Sequence, residues 1–469
     1  MLETGTGCGG KLLTRNFVLT CFATFLFYNS FHLLLPTLPV YVLGLGGSEG
    51  DVGLVMSAFA MASVFMRPFA GRWVDRGGKK GLMLAGALVY VTSAVLYGIV
   101  THVKGLVAVR FLHGLGIGMY STAASSLISD SVPYHRRGEG LGYFLLATSL
   151  AMAVGPIVGV GIVESLSYGA LFATSGVLAG IVFICTLCIS VPSAALRETG
   201  GLKVRLFSRI RGDRIHEEYG PPRDGCCMSC GRVGGGHNEY SSHTTRGPHG
   251  VLARIGSFLG LEALFPSVTL GLGSATYGSI ASFIAVYAKS RGIGNPGVFF
   301  TVFALSMFAT RTFAGKISDR YGRASVIAPG LAAISLGMAA LANATSLASF
   351  VFAAVVYGIG FSVMQPTVTA LLVDHVAPER RGTALGTLLA MYDVGVAVGG
   401  MLAGWIAEHL PLHAVYWCMS GVGACGLVFF ACGYQRYCAT WSHHETDHVQ
   451  DSFDVQVSSH PLSEEKRSL

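Results

Sequence analysis

Charge is what this chain has least of. Asp, Glu, Lys and Arg make up 12% of its 469 residues, against about a quarter in ordinary soluble domains. With 52% hydrophobic residues and a mean hydropathy of +0.56, most of the surface cannot face water, which excludes a soluble globular fold. Other absences narrow the field. Runs of about ten residues with polar alternation, the mark of membrane β-strands, do not occur. No Gly-x-x-x-x-Gly-Lys-Ser/Thr loop is present to cradle a nucleotide phosphate, nor a nucleophile elbow or metal-protease helix, so neither ATP-driven work by that route nor catalysis is expected.

What is there is a series of long apolar segments. Only a helix satisfies its own backbone in lipid, and about 20 residues cross a core roughly 30 Å thick. Twelve such spans are expected, at 17–42, 52–70, 81–101, 106–129, 139–163, 169–191, 259–287, 297–314, 325–342, 347–373, 383–406 and 412–434. Span 1, with Asn29, Ser30 and His32 mid-length, is too long and polar for a signal peptide. Lysine and arginine gather in alternate loops: Arg72, Arg76, Lys79 and Lys80, then Arg136 and Arg137, then Lys316, Arg320 and Arg323, then Arg380 and Arg381. The positive-inside rule makes those loops, both termini and the segment 192–255 cytoplasmic. The net charge of +7 is thereby a topology signal and needs no nucleic-acid partner.

The two halves repeat. "MRPFAGRWVDRGGKK" at 66–80 is echoed by "TRTFAGKISDRYGRA" at 310–324, pairing Arg67 with Arg311, Gly71 with Gly315, Asp75 with Asp319, Arg76 with Arg320 and Gly78 with Gly322, each 244 residues apart. The same offset aligns Asp130 with Asp374, the Arg-Arg-Gly of 136–138 with that of 380–382, Gly142 with Gly386 and Gly155 with Gly399. Two parallel six-helix halves place a substrate path between them and work by rocking one against the other. The expected organisation is a cytoplasmic N-terminus at 1–16, bundles at 17–191 and 256–434, and an unstructured linker at 192–255 and tail at 435–469.

Here the chain resembles the major facilitator superfamily. The family's loop signature is matched by Gly71, Asp75, Arg76, Gly78, Lys79 and Lys80; the second copy, with Gly315, Asp319, Arg320, Gly322 and Arg323, departs at Ala324. The resemblance implies an all-α membrane fold of two six-helix bundles in the cell membrane, without a cofactor, functional as a monomer. It implies a cytoplasmic gate in which Asp75 faces the start of span 11, Asp319 the start of span 5, Arg76 pairs with Asp130 and Arg320 with Asp374. Helix N-termini favour such carboxylates by about 0.3 to 1 kcal/mol. In span 4, "RFLHGLGIG" resembles the motif of proton-coupled carriers, with Arg110 in place and His113 where Gln is usual. Span 5 carries Gly155, Pro156 and Gly159 in the pattern associated with exporters, with Val160 where a second glycine usually follows; it is expected to bend and pack across the half-to-half seam.

Asp393 in span 11 is the one carboxylate deep in the spans, with Ser149 as its repeat equivalent. A buried acid can exchange protons, so proton coupling is assigned to Asp393, with Arg110 and His113 behind it. Asn29 and His32, near Tyr28 in span 1, and Gln365 in span 10 are candidates for the substrate cavity, since spans 1, 4, 7 and 10 line it in the family. Arg67 and Arg311 read as structural, snorkelling to the cytoplasmic rim. In the linker, Cys226, Cys227 and Cys230 lack the second pair of a structural zinc site, so no metal is assigned. The resulting expectation is a proton-coupled exporter of a small organic molecule, a drug, metabolite or metal chelator. A proton-coupled nutrient importer is the alternative, and a non-transporting membrane sensor the more remote one.

Overall fold

The computed structural model describes residues 14–76, 78–132, 137–190, 263–376 and 380–458; the linker 192–255 lies outside them. Among the described residues are thirteen helices and no strand: α1 Arg15–Leu34, α2 Leu38–Gly44, α3 Glu49–Asp75, α4 Lys79–Ile99, α5 Val103–Ser131, α6 Arg137–Ser165, α7 Tyr168–Cys188, α8 Leu264–Ser290, α9 Gly297–Tyr321, α10 Ala324–Ala342, α11 Leu347–Asp374, α12 Arg381–His409 and α13 Leu412–Ser458. Local chemistry explains the boundaries. The Thr14 hydroxyl accepts the Phe17 N–H at 3.2 Å and starts α1, and Ser48 with Asp51 forms a capping box at the head of α3. Span 1 is broken at 35–37, where Pro36 and Pro39 remove two N–H donors in four residues.

Ten helical segments are long and apolar enough to cross a membrane by themselves, eleven with the bent helix α9. The remaining expected span, 106–129 in α5, is diluted by Arg110, His113 and a series of glycines and hydroxyl residues. The tail departs from expectation: α13 runs on to Ser458, because no glycine or proline stands between Gly433 and Pro461 to stop it. Large apolar side chains cover the outside, Phe65, Phe313, Phe352 and Trp405 among them, as a bilayer requires.

The repeat survives folding almost residue for residue. Helices α5 and α11, α6 and α12, and α7 and α13 begin 244 residues apart, at Val103 and Leu347, Arg137 and Arg381, Tyr168 and Leu412. Each neighbour pair of the first bundle recurs in the second: α3 on α5 as α9 on α11, α4 on α5 as α10 on α11, α1 on α6 as α8 on α12. Two symmetry-related seams join the bundles, α3 against α12 and α9 against α6. One loop breaks the symmetry. Gly322 ends α9 with φ at 89°, a left-handed turn open to glycine, whereas Gly78 keeps φ at −82°.

The seams are closed on the side away from the basic loops. A Cβ on Gly53 would lie 2.8 Å from the Gly400 carbonyl and 2.9 Å from Gly404 Cα. The Ser57 hydroxyl donates to the Ala397 carbonyl at 2.7 Å. At the other seam, a Cβ on Gly297 would lie 2.7 Å from the Ile157 nitrogen, and Thr301 Oγ1 donates to the Ala153 carbonyl at 2.5 Å, where Pro156 interrupts the α6 ladder. Toward the basic loops the glycines of the same four helices, Gly71, Gly142, Gly315 and Gly386, meet nothing within 4 Å. Along these seams the outer glycines are packed and the inner ones are uncovered.

Gly53→Val puts a branched side chain into the packed outer seam, and overpacking of this kind costs about 1–3 kcal/mol. A cysteine at Ser57, in a background without reactive cysteines, is then expected to label faster with an external, impermeant maleimide. Unchanged labelling would contradict a closed outer seam.

Candidate functional site

Asp393 lies on α12 where α3 crosses it, and its charge is met from the other bundle. Arg67 Nε donates to Asp393 Oδ2 at 2.5 Å, and the Ser63 hydroxyl donates to the same oxygen at 3.3 Å. Side-chain exposure is 29% for Arg67 and 12% for Asp393, so the pair is largely withdrawn from solvent. The expectation that Arg67 snorkels to the rim is therefore corrected. Eight residues separate it from Asp75 at the helix end, about 12 Å of helix, and the carboxylate across the seam is nearer. Tyr28 on α1 lies within electrostatic range of Arg67 and Asp393.

Arg311, the repeat counterpart of Arg67, also stays inside. Its Nε is buried with no hydrogen-bond partner among the described residues, and it lies within electrostatic range of Tyr392. Tyr392 in turn lies within electrostatic range of Tyr277, Asp393 and Arg67. Ser149, which occupies on α6 the place of Asp393, turns its hydroxyl back to the Leu145 carbonyl at 2.9 Å. Of the two equivalent arginines, Arg67 has a carboxylate partner and Arg311 has none among the described residues.

Arg110 and His113 form a separate group inside the first bundle, each 1% exposed. The Arg110 guanidinium sits 4.4 Å over the Phe59 ring and 5.4 Å over Phe31, with Nη2 3.9 Å from the Met56 sulfur. Its Nε and Nη1 have no partner among the described residues. His113 Nδ1 is 3.3 Å from the Tyr97 hydroxyl and its ring stands edge-on to Tyr90 at 4.0 Å. Aromatic faces, rather than an acid, hold this cation. The three residues expected to share proton coupling are therefore split between two places.

Of the expected cavity residues, Asn29 and His32 turn toward α6. A Cβ on Gly155 would meet His32 Cβ at 2.7 Å and Asn29 Oδ1 at 3.3 Å, and one on Gly159 would strike the Leu33 carbonyl. Gly155 and Gly159 therefore serve close packing of α1 within one bundle, and the seam contact falls to Ala153 and Ile157. Gln365 is half-buried on α11 beside the helix-interior Pro366.

At the cytoplasmic gate, Arg323 takes the role expected of Arg320. Its Nη1 donates to Asp319 Oδ1 at 2.5 Å and to Ser318 Oγ at 2.9 Å, and its Nε to Asp374 Oδ2 at 2.8 Å. The carboxylates, Asp374 first, raise the guanidinium above its ordinary pKa. Arg320 instead lies exposed over the Tyr321 ring. The turn at Gly322 explains the exchange, since it folds Arg323 back over the last turn of α9. The i, i+4 spacing of Asp319 and Arg323 was the available signal. Arg76 is exposed, and the side chains of Asp75 and Asp130 lie outside the described residues.

Comparison with known proteins follows this geometry. The family model described as Major Facilitator Superfamily matches residues 20–299 and again 267–437. The staphylopine export protein of Staphylococcus aureus is 22% identical over 398 residues, covering 84% of this chain and 89% of its own. Quinolone resistance protein NorA of Staphylococcus aureus is 22% identical over 414 residues, covering 87% and 93%. The crystal structure of nucleoside transporter NupG superposes with a TM-score of 0.60 at 17% identity, covering 89% of this chain and 99% of that one.

Removing one member of the cross-bundle pair strands the other half-buried. Arg67→Gln and Asp393→Asn are each expected to lower stability by about 1–3 kcal/mol, while the double variant recovers most of the loss. Thermal unfolding in detergent reads this. Additive losses in the double variant would mean that the two side chains do not act as a pair.

Proposed function

Because the chain belongs to the Major Facilitator Superfamily, matched over both of its halves, we propose that this transporter exports a small organic molecule in exchange for protons, with Asp393 as the proton carrier and Arg67 as its counter-charge. One observation carries the reading. The one carboxylate deep in the described spans is bound across the seam that must open and close. A proton and the Arg67 guanidinium compete for the same carboxylate. Where α3 and α12 hold the pair together, the proton leaves; where they part, it boards.

In the inward-open state the pair is made and the cytoplasmic glycine faces are uncovered, so the proton is released to the cytoplasm and substrate enters from there. Moving to the outward-open state would close Gly71 and Gly386 toward one another and separate Gly53 from Gly400. Asp393 then takes a proton from outside and the loaded carrier returns. A membrane potential of 100 mV contributes about 2.3 kcal/mol per charge, enough to bias states a few kcal/mol apart. The names of the relatives, an export protein and a resistance protein, support the outward direction.

The test is proton flux in proteoliposomes carrying an internal pH dye, on addition of a fluorescent quinolone or a lipophilic cation. Wild type is expected to move protons when substrate is added, and Asp393→Asn to lose at least about tenfold of that rate, in line with the loss of a positioned proton-transfer group. Full proton movement in Asp393→Asn would reject the assigned carrier, and substrate movement without protons would reject the exchange itself.

A further inference from the structure

Along the outer part of the α3–α12 seam, contacts repeat with every helical turn. Gly400, Gly404 and Glu408 follow one another at four-residue spacing on α12, which stacks them on one face. Ser57, Gly53 and Gly50 answer them on α3. A Cβ on Gly400 would lie 2.8 Å from Ser57 Oγ, one on Gly404 would lie 2.9 Å from Gly53 Cα, and one on Gly50 would strike Glu408 Oε2, with Cδ at 3.2 Å. The Glu408 carboxylate therefore lies on the first turn of α3, in the room that a glycine leaves.

Both helix ends favour this contact. Glu408 is the last residue but one of α12, where the macrodipole disfavours a negative charge, and it rests on the positive end of an antiparallel neighbour. In α3 the Ser48 hydroxyl takes the Asp51 N–H at 3.2 Å and the Ser48 carbonyl takes that of Val52 at 3.1 Å. The N–H groups of Glu49 and Gly50 precede the first full turn and have no carbonyl of their own helix to reach. The carboxylates of Glu49 and Asp51 share that turn and temper the attraction, which keeps the contact weak enough to break. The repeat-related seam lacks the arrangement. Glu164 and Gly294 hold the equivalent places, but α9 begins only at Gly297. A Cβ on Gly294 would meet nothing within 4 Å, and Asn295 Oδ1 already accepts the Gly297 N–H at 2.7 Å.

We propose that Glu408 is an outer latch: its carboxylate, seated on the N-terminal turn of α3, holds the outer ends of the two bundles together and leaves that turn when they part. It is the counterpart of the contact expected between Asp75 and the start of α12 at the other end of the same helix pair. Each helix carries in its last turn a carboxylate for the first turn of the other, and rocking exchanges one contact for the other. The latch depends neither on what is carried nor on the ion that drives it, so its failure leaves the proton exchange untouched.

Spin labels at Thr101 and Thr345, repeat-equivalent exposed positions between α4 and α5 and between α10 and α11, read the outer separation by pulsed dipolar measurement on the full-length transporter in nanodiscs. Glu408→Gln is expected to raise the ratio of long-distance to short-distance population about two- to fivefold, the range of a carboxylate at a helix N-terminus. Gly50→Ala puts a methyl where the carboxylate sits and meets only that flexible end and Ser48 Oγ at 3.4 Å. It is expected to give the same shift with the charge retained, and adding Glu408→Gln to it is expected to give no more. Glu164→Gln removes the equivalent charge from the other seam and is expected to leave the distribution as in wild type. No shift in Glu408→Gln or in Gly50→Ala, shifts that add in the double variant, or an equal shift in Glu164→Gln would each overturn the latch.

Discussion

Everything in the described bundles turns on one ion pair that crosses between them. Arg67 belongs to the first bundle and Asp393 to the second, and they meet at 2.5 Å where α3 crosses α12. Parting two charges this far from bulk water is costly, so their contact favours the two helices lying against each other. Glycines make that approach possible. Gly53 packs on Gly400 and Gly404 with no room for a Cβ, bringing the backbones close enough for Ser57 to reach the Ala397 carbonyl. The pair, the glycine contact and the closed outer seam are one arrangement seen at three depths.

The scaffold is symmetric and the chemistry is not. A 244-residue offset recurs in three pairs of helix starts, and the neighbour pairs and seams repeat with it, yet two of the charges inside the spans depart from it. Asp393 answers to Ser149, and Arg110 has Ala354 at its equivalent position. Symmetry relates the two bundles and their seams; in the proposed exchange its violations decide which seam senses a proton. The cytoplasmic turn follows the same rule, since Gly322 adopts a left-handed conformation that Gly78 does not and so hands Asp374 to Arg323.

Helices and repeat were readable because each follows from local sequence: apolar run length, turn residues and a gapless offset. Span 1 was drawn unbroken although Pro36 and Pro39 mark the break, since hydropathy alone does not register a missing N–H. The site was partly readable. Asp393 stood out as a lone acid, but its partner did not, because one-dimensional spacing says nothing about which face of α3 meets α12; the seam itself had to be known. Asn29 and His32 sit on the helix expected to line the cavity, yet a rotation about the α1 axis aims them at Gly155 instead. Polarity identified them as buried and could not say against what. The exporter-like glycines of α6 illustrate the same limit: their small size was legible, while the neighbour that needs it is α1 in the same bundle.

The central claim is that the Arg67–Asp393 contact holds the carrier inward-open and that a proton on Asp393 releases it. Spin labels at Arg72 and Thr383, on the inner ends of α3 and α12, read this directly by pulsed dipolar distance measurement across a pH series in nanodiscs. The account predicts that acidification shifts the wild-type distance distribution toward shorter values as the inner ends close, and that Asp393→Asn shows the shifted distribution at every pH. A wild-type distribution insensitive to pH, or a pH response in Asp393→Asn equal to that of wild type, would contradict it.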